Sequence, residues 1–219
     1  MGREQLTKLF PAFDEIGDIS LRGQALRAMD MAMEKGGWNE DNIALCPVTL
    51  NWKNCDVSWV EHVSDVAAVS IANYAALGKY YKRHGVNVNR DIVIAGALLH
   101  DIGKLTEFAC SEGRAVYRKN HELMRHPLSG AVIAGLAGLP DILIHLIATH
   151  SFEGDKSYQT PESAFVRSSV ECGLPRGLWP ISRRGESTPQ CVEEVPSLHA
   201  LGGRRIESRQ ASAQFPDFA

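Results

Sequence analysis

The chain carries no Cys-x-x-Cys pair, no long hydrophobic run and no excess of basic charge. Each absence removes a class. Five cysteines, an odd number without paired spacing, argue against a disulfide framework or a zinc ribbon and for free thiols in a reducing compartment. The longest apolar stretches, 92–99 and 142–148, are far too short to cross a bilayer. A net charge of −3 gives no electrostatic footprint for nucleic acid or for an anionic membrane surface. The opening "MGREQLTKLF" has no apolar core behind a charged start, so a secretory leader is not expected there. Leu6 stands where a myristoylation signal wants Ser or Thr. The expected location is the cytoplasm.

What is present is helical periodicity and histidine. Residues 18–35 place Leu21, Ala25, Ala28, Met29 and Ala32 on one face, the spacing of an amphipathic helix. Ser58 is set to cap a helix whose stripe is Val60, Val63, Ala67, Ile71, Tyr74 and Leu77. Asn89 caps a second over 90–101, Pro127 opens a third to about 137, and Pro140 with Asp141 opens a fourth to about His150. Thr160 and Pro161 begin a fifth, whose pattern fails after "TPESAFVR".

These elements predict an all-α fold, a helical bundle over 58–167 preceded by a helical extension over 1–57. Residues 168–219 read differently. They hold five of the ten prolines, and no lysine occurs beyond Lys156. No period of 3.6 or 2 is visible there, so an irregular tail is expected, standing where the end of the domain would be.

Four of the predicted helices bear a histidine at or near an end: His62, His100, His126 and His150. In "ALLHDIGKL", residues 97–105, His100 is followed at once by Asp101 at the inner end of an apolar run. Burying a carboxylate beside an imidazole is costly unless something pairs with both. A divalent ion does so, and neutral imidazoles with a carboxylate suit Zn, Fe, Mn and similar ions. Adjacent residues diverge by about 100° on a helix. His100 and Asp101 therefore share a site only at the helix edge, or if Asp101 bridges two ions. His84, at a helix end, His121, in a charged loop, and His145, five residues before His150, are expected to stand apart.

The ordered set His62, His100-Asp101, Lys104, His126-Pro127 and His150 resembles the HD-domain metal-dependent phosphohydrolase superfamily over about residues 58–167, "LLHDIGK" being the specific motif. The resemblance implies that His62, His100 and Asp101 bind one ion together with a later aspartate. It implies a second ion on His126 and His150, with Lys104 contacting substrate phosphate and Asp101 and Lys104 as the catalytic pair. The implied cofactor is a divalent metal: Mn, Fe, Zn, Co or Mg. The implied partner is a small phosphorylated molecule, with no membrane, no nucleic acid, and an oligomer left open.

One departure stands out. The superfamily's last aspartate lies about ten residues into the helix that "TPESAFVR" begins, and this chain reads Ser168-Ser169-Val170-Glu171 there. Glu171 is the carboxylate at hand. Two further readings stay open beside the phosphohydrolase: an HD-fold di-iron oxygenase, and an inactive protein that lacks the last ligand. The ion on the His62 side is expected to bind weakly unless Glu171 completes it.

Overall fold

A computed structural model describes residues 1–51, 57–119 and 121–173. The expected irregular tail falls almost wholly on 174–219, outside the described residues, as do Cys55 and Cys191. The thiols of Cys46, Cys110 and Cys172 are free. In order, the elements are α1 (Arg3–Leu9), α2 (Ile19–Gly36), α3 (Trp59–Arg83), α4 (Arg90–Leu99) and α5 (Lys104–Glu107), then β1 (Phe108–Ser111) and β2 (Arg114–Tyr117), then α6 (His126–Leu136), α7 (Asp141–Thr149) and α8 (Pro161–Gly173). The expected all-α class holds, with one addition. The two strands pair antiparallel, with Phe108 opposite Tyr117.

Local signals set the helix starts. Ser58 Oγ accepts from Glu61 N at 3.1 Å and Glu61 Oε2 accepts from Ser58 N at 2.9 Å, a reciprocal cap that satisfies two otherwise unpaired donors. Asn89 Oδ1 accepts from Asp91 N and Ile92 N at the start of α4. Pro127 occupies the first turn of α6, where a missing N–H costs nothing. Gly37 ends α2 with φ +72°, a left-handed residue that only glycine adopts freely.

Helix α4 is the hub. Every residue from Ile92 to Leu99 is buried, because α2, α3, α7 and α8 all pack around it. Gly96 makes this possible, since a Cβ there would lie 2.6 Å from Leu146 Cδ1. The N-terminal segment joins the same core through Leu6, Phe10, Phe13 and Ile16, each at most 1% exposed.

Two details depart from the periodicity. The buried face of α3 is Trp59, His62, Val63, Val66, Ala67 and Ser70, while Leu77 is exposed. The apolar pattern places that face slightly off because two of its members are polar. Helix α8 also continues beyond the expected break, to Gly173. Ser168 Oγ and Ser169 Oγ each donate to Phe165 O at 2.9 Å. Hydroxyls that bond back into their own helix can be buried without apolar character, and Asn73 Nδ2 donates to Ser169 Oγ across the α3–α8 contact. Among the described residues no helix is long and apolar enough to cross a membrane.

Candidate metal centre

Four helix termini converge on one carboxylate. His62 lies in the first turn of α3, His100 is the residue after α4, His126 opens α6, and His150 follows α7. Asp101 sits in the turn between α4 and α5, where Trp59 Nε1 donates to its backbone carbonyl at 3.1 Å. That turn presses against the start of α6. A Cβ at Gly103 would lie 1.9 Å from His126 O and 2.7 Å from Gly130 N, so only glycine lets the two meet.

The Asp101 carboxylate divides the histidines into two pairs. Oδ2 is 3.4 Å from His62 Nε2 and 3.4 Å from His100 Nε2. Oδ1 is 3.3 Å from His126 Nε2 and 3.3 Å from His150 Nε2. Asp101 is common to both histidine groups, an arrangement compatible with the second of the two geometries open to adjacent His100 and Asp101. Lys104 Nζ lies 2.7 Å from Asp101 Oδ2. All five cluster residues are buried, none more than 7% exposed.

Burial pushes His62 and His126 down to about 4, and lowers His100 as well, because desolvation disfavours the imidazolium. Burial alone would raise the Asp101 carboxyl, but the Lys104 ammonium and His100 beside it hold it well below the usual range. The cluster therefore sets an ionised carboxylate beside the neutral imidazoles of His62, His100 and His126, the protonation state that divalent metals require of their ligands.

Two observations test whether the residues fit an ion. His100 Nδ1 donates to Ala97 O and His150 Nδ1 to Ile147 O, each at 2.8 Å. His126 Nδ1 lies 3.0 Å from Glu107 Oε2. These bonds put the ring proton on Nδ1 and leave the Nε2 lone pair facing Asp101. His62 Nε2 and His100 Nε2 then stand 3.2 Å apart, a repulsive contact unless a proton or cation sits between them. Ligand atoms about 2.1 Å from one ion stand about 3.0–3.4 Å from each other, and the observed spacings match. Two groups could each hold an ion: His62, His100 and Asp101; and Asp101, His126 and His150.

The three histidines expected to stand apart, and Glu171, lie elsewhere. His121 stacks on Tyr117 at 4.3 Å, His145 Nε2 donates to Tyr158 O, and His84 caps α3 beside Tyr80. Glu171 is exposed, with Oε1 4.0 Å from Arg167 Nε, and belongs to neither group. Glu107 is a residue the histidine pattern does not point to. Its carboxylate is buried and accepts from His126 N, His126 Nδ1 and Arg125 Nη1. The available signal was an acid between Leu105 and Phe108, where an apolar residue would be expected.

A family model described as HD domain matches residues 60–179. The dihydroneopterin 2',3'-cyclic phosphate phosphodiesterase of Methanocaldococcus jannaschii is 30% identical over 118 residues, 53% of this chain and 45% of the relative. The chain thus spans less than half the length of that relative. No solved structure matches.

Proposed function

The chain belongs to the HD-domain family, and from that premise we propose that it is a metal-dependent phosphohydrolase whose substrate is a phosphodiester. The observation that carries this reading is Asp101, with one oxygen directed at each histidine pair and Lys104 Nζ 2.7 Å away. The diester class draws support from the name of the M. jannaschii relative.

His62, His100 and Asp101 would hold one divalent ion, and Asp101, His126 and His150 the other. Ions held there supply Lewis-acid polarisation of phosphate oxygens and lower the pKa of bound water. The chain's own groups do the rest. Asp101, ionised and buried, fixes the spacing of the two pairs and offsets part of the positive charge. His100, His126 and His150 keep their Nε2 lone pairs available because their Nδ1 atoms are engaged elsewhere. Lys104, whose side chain is 13% exposed, lies between the cluster and solvent. It can leave Asp101 for a non-bridging phosphate oxygen, stabilising charge that grows as phosphorus is attacked. The surrounding apolar shell, with Trp59 and Leu99 fully buried, strengthens each of these interactions by excluding water.

The test is metal analysis of purified protein with hydrolysis of bis-p-nitrophenyl phosphate, under air and under nitrogen. The expected result is divalent-ion-dependent hydrolysis that is indifferent to oxygen and absent from Asp101→Ala. A requirement for O₂ would favour the di-iron oxygenase reading, and bound metal without turnover the inactive one.

A further inference from the structure

The four imidazoles that face Asp101 are not held equally. His126 Nδ1 meets a carboxylate, Glu107 Oε2, at 3.0 Å. His100 Nδ1 and His150 Nδ1 meet backbone carbonyls. His62 Nδ1 is buried and has no hydrogen-bond partner among the described residues. We propose that Glu107 is a positioning residue that makes the Asp101–His126–His150 group the one that takes up an ion first, leaving the His62–His100 group the weaker. The inference rests on the metal-dependent reading above.

Tautomer chemistry carries the argument. To offer its Nε2 lone pair, His62 must keep its proton on Nδ1, and a buried N–H without an acceptor is disfavoured. In the other tautomer Nε2–H points at His100 Nε2, 3.2 Å away, and no lone pair remains for an ion. His126 faces no such choice. Its Nδ1 proton lies on an anion, which fixes the ring and makes Nε2 more basic. Glu107 is itself anchored. Arg125 Nη1 donates to Oε1 at 3.0 Å, His126 N donates to Oε2 at 3.2 Å, and Arg118 N donates to its backbone carbonyl. The side chain is buried, the residue being 2% exposed.

The experiment is calorimetric titration of the metal-free full chain with Co²⁺, read together with the cobalt visible absorption spectrum. Wild type should bind one equivalent tightly and any second weakly. Glu107→Gln should weaken the tight equivalent by about 10–100-fold, the usual range for losing such a partner, and shift its cobalt spectrum. His62→Ala should leave the tight equivalent within about threefold. His126→Ala should remove it. Circular dichroism reports whether each variant is folded, and His62→Ala alone decides the order of filling should Glu107→Gln unfold. Tight binding in wild type that is lost in His62→Ala, or unchanged in folded Glu107→Gln, overturns the proposal while sparing the metal reading. Absence of any Co²⁺ binding by wild type overturns both.

Discussion

Asp101 is the residue on which everything else converges, since each of its oxygens serves a different histidine pair. Asp101→Asn keeps its shape but removes the charge, and it should abolish high-affinity metal uptake as judged by inductively coupled plasma analysis. His121→Ala, beside Tyr117 and outside both groups, should leave metal content unchanged. Equal loss from both would reduce the cluster to mere histidine richness. Lys104 separates binding of metal from binding of substrate. Lys104→Ala removes the cation 2.7 Å from Asp101 and no proposed ligand. Metal content should persist while kcat/KM for the diester falls by about 10²-fold, within the range seen when one charge-stabilising donor is removed. The histidines of the cluster were legible in the sequence because each sits at a predicted helix end. Glu107 was not, because nothing local distinguishes an acid turned inward onto His126 Nδ1 from one turned outward to water.

At the scale of elements, what the sequence revealed tracks how strongly each terminus is marked. Ser58, Asn89, Pro127 and Pro161 are residues with a stereochemical reason to start a helix, and α3, α4, α6 and α8 begin within one residue of them. The β1–β2 hairpin went unseen because its strands are four residues long. Its turn, Glu112-Gly113 with both φ positive, lacks the Asn-Gly or Asp-Gly signature of such turns. Helix α8 shows the opposite error: the serines that read as a break bond back to Phe165 and continue the helix, Ser169 buried and Ser168 exposed. The α4–α5 turn is held to α6 by contact at Gly103. Gly103→Ala would force a Cβ into His126 O and should lower the thermal midpoint by the equivalent of at least about 1–3 kcal/mol, while also displacing His126. Asn89→Ala removes the cap of α4 without touching the cluster. It should cost about 1 kcal/mol in urea denaturation and spare metal affinity.

Over the whole molecule, the neutral histidines tie stability to pH. His62 and His126 titrate near 4 in the folded chain because they are buried, against about 6.5 when unfolded. Between those values the unfolded chain binds more protons than the folded one, so stability falls as pH falls. The contribution is fully present above about 6.5, and is lost progressively down to about 4. The metal-free protein should therefore melt at clearly lower temperature at pH 5 than at pH 7.5 in scanning calorimetry. His62→Phe, which removes one of the two groups, should flatten that dependence. A melting temperature level across the range would contradict the burial assigned to these rings.

The near-complete enclosure of the Asp101 cluster, none of its members more than 7% exposed, also governs timing. An ion open to substrate on one face is still held by buried ligands on the others, so its full release to a chelator waits for a local opening of the surrounding helix ends. Release then has a clock set by the protein rather than by the reagent. With EDTA in excess, the escape rate should plateau and become independent of chelator concentration. Gly103→Ala, by loosening the packing of the α4–α5 turn on α6, should raise that plateau.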